Sequence, residues 1–285
     1  MPGQLQKRTK SLSARLFKVA GKLKDDVSAK DVHRLRTTIR RIESLVNYAH
    51  PKLGRKQEKK LDLLKDLRKR GGKVRDLDIQ MGLLGAIGNG STRNDRQTLT
   101  EILKRKRAKQ ARRLASAVAK LDVSKLVSQL DKIAEKAAAT PAGQSAGAPL
   151  EQARCELVAL AAEPAFQRKL EPAQMHEARI KLKLIRYLAE SASKSPEQQR
   201  FVADMKSVQD ALGEWHDWEL LQETAESQFG HRMNCALLME IKSLYAVKHS
   251  AAISALTNFL SRFSVPHGRK QPASSHVARP AMLRA

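Results

Sequence analysis

The chain is poor in aromatic residues, which make up 4% of its 285 residues. It is rich instead in Leu, Ala, Lys, Gln, Glu and Arg, all of which favour α-helix. No apolar run approaches the roughly 20 residues that span a membrane, and the basic N-terminus is not followed by the apolar stretch of a secretory signal peptide. We therefore expect an all-α protein with an aliphatic core, no membrane span and a cytoplasmic location.

Cysteine is almost absent as well. Cys155 and Cys235 are far apart in sequence and form no Cys-x-x-Cys pair or zinc-type spacing, which argues against a redox or zinc site. We expect both to be buried free thiols of a reducing compartment.

Acidic residues are the third shortage. The chain has 29 Asp and Glu against 54 Lys and Arg, which gives a formal net charge of +25 and a sequence pI near 10.4. A surface of this kind attracts polyanions: nucleic acid, an anionic membrane or an inorganic phosphate polymer. The positions of the basic residues in the chain must decide among these three ligands.

Helix breakers divide the chain into predicted elements. The expected helices cover 5–24, 31–48 after a cap at Ser28 or Asp31, 56–70, 74–88, 95–121, 124–139 and 232–262. Gly71-Gly72 is expected to end the third of these, and Gly213 to end its counterpart later in the chain. Residues 140–149 are predicted to be a linker, and residues 267–285 a disordered basic tail.

The segment VHRLRTTIRR, residues 32–41, carries a basic stripe beside an apolar one. His33, Arg36 and Arg40 follow i, i+3, i+7 spacing and share one side of a helix. The apolar residues at the same spacing are Val32, Leu35, Ile39, Ile42 and Val46. Such a helix packs by one stripe and offers a row of hydrogen-bond donors along its flank.

The same pattern recurs 143 positions later (176 − 33), with His176, Arg179 and Lys183 in the basic stripe and Arg186 one turn on. Its apolar residues are Met175, Ala178, Leu182, Ile185 and Ala189. A second set of matches follows at an offset of 141: Lys59 with Arg200, Lys65 with Lys206, Gly72 with Gly213 and Asp76 with Asp217. The repeat predicts two related helical halves, about 5–140 and 150–263.

These residues resemble the CHAD family. The resemblance rests on VHRLRTTIRR and MHEARIKLKLIRYLAE, followed by GGKVRDLDI and ALGEWHDWELL, and covers about residues 5–263 as a single domain. It implies two four-helix bundles related by a pseudo-two-fold axis, with a basic central cavity that binds inorganic polyphosphate, and association with polyphosphate granules. The halves are not identical, since Lys183 stands for Arg40, Leu184 for Arg41, and Glu43 holds the position of Arg186.

We expect the basic stripes to line one shared anion site. Arginine grips phosphate oxygens with a planar fork, and lysine adds a point charge. The candidate residues are His33, Arg36, Arg40, Arg41, His176, Arg179, Lys183 and Arg186, with Lys59, Lys65, Arg200 and Lys206 from the following helices and Arg105, Lys109 and Arg112 from the basic tract 104–113. The alternative is that these side chains form an ordinary solvated face.

The carboxylates Asp76, Asp78 and Asp217 are expected at helix starts, where they would satisfy free amides or orient a basic residue. Hydrolysis of phosphoanhydrides normally needs clustered carboxylates holding Mg²⁺, and no such cluster, nucleophile or phosphate-binding loop is present. We expect a polyphosphate-binding protein that is not an enzyme and uses no cofactor. The histidines lack partners at metal-ligand spacing, so no metal is expected either.

A nucleic-acid-binding helical protein is the alternative function. The basic tract 104–113 and the basic tail favour it. Against it stand the absence of a recognised nucleic-acid-binding motif and the scarcity of aromatic residues for base stacking. Tyr187, Trp215 and Trp218 are expected to pack in the core.

Overall fold

The structure, a computed structural model, describes residues 4–49, 55–88, 92–138, 148–166 and 170–263. The regular elements in these ranges are helical and include no strand, as the composition predicts. They are α1 (Gln4–Asp25), α2 (Ala29–Ala49), α3 (Arg55–Ala86), α4 (Arg93–Ala119), α5 (Val123–Ala138), α6 (Ala148–Ala161), a short 3-10 helix (Pro164–Phe166), α7 (Pro172–Ala189), α8 (Pro196–Phe229) and α9 (Ala236–Ser261).

Side-chain caps set the starts of several helices. The hydroxyl of Ser28 accepts a hydrogen bond from the Asp31 backbone N–H at 3.1 Å and opens α2. The hydroxyl of Ser195 does the same for the Gln198 N–H at 3.1 Å, with Pro196 at the first position of α8. These contacts satisfy backbone donors that a helix start leaves unpaired. Ser28 is therefore the cap that the sequence left undecided.

Glycines do not end the long helices. α3 continues through Gly71-Gly72 and α8 through Gly213, so the predicted stops at these glycines and the separate helix from 74 are wrong. A glycine inside a helix costs about 1 kcal/mol relative to alanine. That cost is small beside the burial of leucines and valines on both sides of the glycine pair in α3: Leu61, Leu64, Leu67 and Val74.

Two further boundaries differ from expectation. The closing helix begins at Ala236 rather than near 232, because residues 230–234 form a turn in which Asn234 has a φ of 61°. α6 begins at Ala148, so the last two residues of the predicted linker 140–149 are helical. The rest of that linker and the predicted tail 267–285 lie outside the described residues.

Within the described ranges, three hydrophobic clusters form the interior. The first joins α1, α2, the first part of α3, the end of α4 and α5. The second joins α6 and α7 with the first part of α8 and the end of α9. The third, here called the shared core, takes its members from the later part of α3, the start of α4, the later part of α8 and the start of α9. Each half thus has its own core and contributes to one between them.

The apolar stripes of the repeat lie inside these cores. Every residue of the stripe on α2 is at most 4% exposed, and every residue of the stripe on α7 at most 3%. Tyr187, Trp215 and Trp218 are buried, which confirms their packing role. The helix faces predicted from 3-4 spacing are therefore confirmed.

The two cysteines differ in environment. Both are free thiols, and Cys235 is buried as expected, but Cys155 is exposed, so that part of the prediction is wrong. α6 buries Ala153 and Leu157, and Cys155 is two positions from each. Two positions correspond to about 200° around a helix, which puts the thiol on the outer face.

None of the described helices has the length and apolarity to cross a bilayer.

Candidate functional site

The two basic stripes meet because α2 packs against α7 and α3 packs against α8. The hydroxyl of Ser44 on α2 donates to the Leu184 carbonyl on α7 at 3.4 Å. The side chain of Thr224 on α8 donates to Gln80 Oε1 on α3 at 2.9 Å. Since the apolar face of each stripe helix is turned into the core of its own half, the two basic flanks are brought to one junction.

Four basic side chains from the two stripes form a half-buried group that we call the inner cluster: Arg36 and Arg40 of α2 with Arg179 and Lys183 of α7. Burial, with repulsion from Arg40, Arg68 and Arg179, lowers the pKa of Arg36 to about 10 against the opposing effect of Asp76. Burial, with repulsion from the three arginines of the cluster, lowers the pKa of Lys183 to about 6. The charges of the two halves therefore act on one another directly.

Two carboxylates face the inner cluster. Asp76 lies inside α3 and Asp217 inside α8, so the prediction that they start helices is wrong; it depended on the mistaken glycine stops. Asp76 acts on the charges of Arg36 and Arg179, and Asp217 acts on Arg179 and Lys183. Burial raises the pKa of Asp217 despite the nearby cations. Two carboxylates opposite four basic groups leave positive charge in excess.

Hydrogen-bond donors are also in excess. The Nε of Arg179 is buried and has no hydrogen-bond partner. Within the described ranges, Arg40, Arg179 and Lys183 have no carboxylate oxygen within 4.0 Å. A buried donor without an acceptor costs about 1–3 kcal/mol. An anion held at this junction would supply the missing acceptors.

The absence of side chains at Gly71 and Gly72 leaves room for the Arg36 side chain. The Arg36 Nη1 donates to the Arg68 carbonyl at 3.2 Å. A Cβ added at Gly71 would lie 3.3 Å from the Arg36 Cγ, and one added at Gly72 would overlap Arg36 Nη1. A Cβ at Gly213 would meet nothing within 4 Å. The glycine pair of α3 therefore lets the Arg36 guanidinium lie against the helix backbone. No described side chain makes use of the space at Gly213 in this way.

The stripe histidines lie at the edges of the inner cluster. Burial, with repulsion from Arg75, Arg36 and Arg41, lowers the pKa of His33. Burial, with repulsion from a second histidine, His216, and from Arg179 and Lys183, lowers the pKa of His176. Each half thus places a histidine beside a basic residue of the following long helix.

Sequence reasoning missed His216, although a signal existed: it lies 141 positions after Arg75 (216 − 75), at the offset of the aspartates. The rings of His176 and His216 have centroids 5.1 Å apart, and His216 Nδ1 lies 3.0 Å from Glu219 Oε2. Within the part of the chain that the structure describes, no three His, Cys, Asp or Glu side chains are grouped to hold a metal ion, these three included.

Arg41 and Arg186 are tied to one carboxylate at the junction. Arg41 Nε donates to Glu190 Oε2 at 2.9 Å, across the two halves. Arg186 Nε lies 3.7 Å from Glu190 Oε1, and its guanidinium lies 5.1 Å from the centre of the Tyr187 ring. Glu43, which replaces the second half's arginine, lies 2.9 Å from Arg68 Nε. Of these ion pairs, only that of Arg41 with Glu190 joins the two halves, and it lies beside the inner cluster.

The lysine-helix candidates lie further out. Lys59, Arg200 and Lys206 are exposed and Lys65 is partly exposed. Lys65 pairs with Asp62 at 3.1 Å, and Lys206 pairs with Asp210. Lys65 lies three helical turns before Asp76, and Lys206 lies three turns before Asp217. Each lysine is therefore on the same face of its helix as that aspartate but about 16 Å away along the helix axis. They extend the basic surface and are not part of the inner cluster.

The α4 candidates are separated from the inner cluster as well. Arg105, Lys109 and Arg112 are all exposed. Lys109 and Arg112 line a surface groove together with Arg70 of α3, whereas Arg105 does not line it. Arg107, from the same tract, pairs instead with Asp78 at 2.6 Å and donates to the Val27 carbonyl at 2.9 Å.

Fold and site define the class: an all-helical protein in which the basic stripe helices of the two sequence repeats pack against each other. The model of the CHAD domain family matches residues 5–226, and the chain belongs to this family. No curated protein matches it in sequence.

The fold is also found in solved structures. The crystal structure of the CHAD domain from the plant Ricinus communis is similar with a TM-score of 0.67 and 17% identity, over 90% of each chain. PptA from Streptomyces chartreusis is similar with a TM-score of 0.60 and 18% identity, over 92% of this chain and 99% of that one. The family recognised from the two half-signatures is confirmed.

Proposed function

We propose that this protein binds inorganic polyphosphate without transforming it, and that it does so in the cytoplasm at polyphosphate granules. Two things support this. The chain belongs to the CHAD family, for which the sequence resemblance implies polyphosphate binding. The observation that carries the proposal is the inner cluster itself, where Arg36, Arg40, Arg179 and Lys183 converge from both halves and the buried Arg179 Nε lacks an acceptor.

The chemistry of polyphosphate fits this arrangement. Every phosphate of the chain carries negatively charged oxygens, so an extended ligand offers acceptors to several side chains in succession. Arginines grip such oxygens through charge-assisted hydrogen bonds, and lysine contributes a point charge. A bound polyanion also favours the protonated form of Lys183, whose pKa is lowered to about 6 in the free protein.

The positive charge of the inner cluster opposes folding. Burial and repulsion from neighbouring arginines lower the pKa of each of its four basic groups, so the fold holds like charges close together at a cost in stability. In a structural ion-pair network, opposite charges would instead raise the pKa of the basic groups and stabilise the fold. Removing a cation from the cluster should therefore weaken ligand binding while leaving the free energy of unfolding unchanged or higher.

The test is a titration with long-chain polyphosphate of the wild type and of the double variant Arg36→Ala/Arg179→Ala. Hydrogen bonds to charged groups contribute about 1.5–3 kcal/mol each, so the affinity should fall at least tenfold. Lys10→Ala/Lys18→Ala removes two exposed charges from α1 and is the matched control, with a loss of about twofold or less. Urea unfolding of each variant without ligand measures stability.

Equal losses in the double variant and its control would contradict the proposal, because binding would then follow net charge alone. Duplex DNA at equal phosphate concentration tests the alternative favoured by the exposed basic residues of α4, and tighter binding to DNA at physiological salt would support it. Incubation with Mg²⁺ or Mn²⁺ should leave the chain length of polyphosphate unchanged; phosphate release that Asp217→Asn abolishes would show an enzyme.

A further inference from the structure

The outer side of α9 carries almost no charge. Within its described range, Ala236–Ser261, only Lys242 among the twelve exposed residues is charged, whereas eight of the fourteen exposed residues of α4 are charged. The two helices have the same place in the two halves, since α4 packs on α3 and α9 packs on α8. A helix side that is turned to water normally carries charged and polar side chains. The outer side of α9 is therefore unusual for a surface in contact with water.

Exposed apolar side chains are concentrated in the same place. Among the residues that the structure describes, the three most exposed large apolar side chains are those of Met233, Met239 and Val247, which are 93%, 63% and 61% exposed. Met239 and Val247 belong to α9, and Met233 lies in the turn before it. Such a concentration of exposed apolar side chains marks an interaction surface.

One stripe of α9, which we call the α9 face, holds the uncharged residues. Its members recur at spacings of three and four residues, which puts them on one side of the helix; they are Met239, Ser243, Ala246, Val247, Ser250 and Ser254. The two lysines of α9 are paired with carboxylates of α8. Lys242 Nζ lies 3.0 Å from Glu226 Oε1, and Lys248 Nζ lies 2.8 Å from Glu214 Oε2. A contact at the α9 face therefore covers no unpaired lysine.

The half that carries the α9 face is the half that a second copy of the chain can approach. Residues 1–150 contain 36 Lys and Arg against 14 Asp and Glu, whereas residues 151–263 contain 14 against 15. Like charges oppose the association of two copies wherever the basic first half takes part. A contact through α9 joins two nearly neutral halves and keeps the excess positive charge outside it.

The α9 face is also complementary to itself. In an antiparallel pair of α9 helices with a two-fold axis beside Ala246 and Val247, Met239 of one copy lies opposite Ser254 of the other. Ala246 and Val247 then face each other across the axis. Each larger apolar side chain thus meets a small one, which allows two helices to pack closely. A parallel pair would instead set Met239 against Met239.

We propose that two copies of this chain associate through their α9 faces in an antiparallel, two-fold symmetric contact. This goes beyond the proposed function and does not depend on it. The stripe from Met239 to Ser254 is about 22 Å long, so the contact buries less than the roughly 1,200–2,000 Å² of a stable standard-size interface. The dimer is therefore weak, with a dissociation constant in the micromolar range, and separates on dilution.

Analytical ultracentrifugation of the full chain over a series of concentrations tests the proposal. The wild type should pass from monomer to dimer, and high salt should favour the dimer because it screens the repulsion between two basic molecules. Val247→Lys places two ammonium groups beside the axis and should weaken association about tenfold or more. Val158→Lys, at an exposed valine of α6, is the matched control and should keep the wild-type association. Circular dichroism checks that both variants fold.

Cross-linking tests the orientation of the two copies. The exposed thiol is first removed by Cys155→Ser. In that background, Ala246→Cys places two thiols beside the axis, and mild oxidation should join the copies by a disulfide. Met239→Cys places the two thiols about 22 Å apart along the helices. That separation exceeds the roughly 7 Å between Cα atoms that a disulfide spans, so no cross-link should form.

Several outcomes would overturn the inference. One is a wild type that stays monomeric at every concentration. Another is association that Val247→Lys leaves unchanged, or that Val158→Lys weakens equally. Cross-linking of Met239→Cys but not of Ala246→Cys would rule out the antiparallel arrangement. A monomeric protein that sediments with phosphatidylcholine vesicles, and no longer does so with Val247→Lys, would make the α9 face a lipid contact instead.

Discussion

The two halves of the molecule use the same framework with different acid–base chemistry. Where the first half has Arg40 and Arg75, the second has Lys183 and His216 at the equivalent positions. Arginine stays charged at any physiological pH, whereas histidine and a buried lysine do not. Burial lowers the pKa of both stripe histidines, His33 and His176, and lowers that of Lys183 to about 6. At the position of Arg40 the first half therefore offers fixed charge, whereas Lys183 in the second half offers charge that depends on pH.

Equivalent carboxylates have also taken different tasks. Asp78 pairs with Arg107 and so ties α3 to α4 within the first half. Its equivalent, Glu219 (219 − 141), contacts His216 on its own helix. The two equivalent positions thus both carry a carboxylate, but the residue that the carboxylate contacts differs between the halves. Substitutions that give one half the residue found in the other test this difference.

The largest effect is expected for Lys183→Arg, which gives the second stripe the residue of the first. Polyphosphate bound as proposed would raise the pKa of Lys183 from its value of about 6 in the free protein, so binding would take up a proton. Affinity then falls as pH rises above about 6, by at most about tenfold per pH unit for one proton. In the variant this component is lost, and near pH 8 binding should be about tenfold tighter. Calorimetry in buffers of different ionisation enthalpy measures the proton uptake directly.

The reverse change is the control. Arg40→Lys places a second titratable ammonium at the junction and should steepen the fall of affinity with pH. The histidines His33 and His176, whose pKa values are lowered, contribute to the same trend at lower pH in all three proteins. Identical pH profiles for the wild type, Lys183→Arg and Arg40→Lys would show that the two stripes are equivalent after all.

The next effect separates the glycines of the two long helices. Gly72→Ala introduces a methyl group where Arg36 lies, and overpacking of this kind costs about 1–3 kcal/mol unless the guanidinium moves away. Either response should reduce polyphosphate affinity, by about fivefold if one charge-assisted contact is weakened. Gly213→Ala meets open space and should raise the free energy of unfolding by about 0.5–1 kcal/mol through helix propensity. Urea unfolding and polyphosphate titration of both variants check this.

The outcome that would break this distinction is equal behaviour of the two alanine variants. If Gly72→Ala were as stable as Gly213→Ala and bound polyphosphate with wild-type affinity, the glycine pair would not be the seat of Arg36. Gly82→Ala offers a further reference, since a Cβ there also meets nothing within 4 Å.

The smallest effect concerns the contact between halves. Glu190→Gln weakens the ion pair with Arg41, whose Nη2 and Nε both lie 2.9 Å from Glu190 Oε2. Because this pair is partly buried, the free energy of unfolding should fall by about 1 kcal/mol. Glu197→Gln, at the more exposed pair with Arg154, should cost about 0.5 kcal/mol or less. Equal values for the two would mean that the Glu190 pair has no special role at the junction.

The sequence predicted those features that depend on local spacing. The 3-4 periodicity of Leu35 and Ile39, or of Leu182 and Ile185, correctly gave the buried faces, because helix periodicity is a property of neighbouring positions. The offsets of 143 and 141 indicated an internal repeat and led to the family. The pairing of the two stripes at one junction followed from the resemblance.

Features that depend on a distant neighbour were out of reach. Gly71-Gly72 reads as a helix stop unless it is known that Arg36 lies against it. Arg41 had no evident partner, since Glu190 is 149 positions away. Lys109 and Arg112 share a groove with Arg70 of α3, which is about 40 positions away and is not identified by helix spacing alone.

The shared core has a consequence for the chain as a whole. It is assembled from Leu84 and Leu99 of the first half with Leu221 and Leu237 of the second, all fully buried. Either half alone would expose its share of this apolar surface to water, a condition that favours aggregation. The two repeats are therefore obligate partners, comparable to the subunits of a permanent heterodimer joined by a tether. Fragments 1–143 and 144–285 should become soluble when co-expressed and reconstitute the junction without a covalent link.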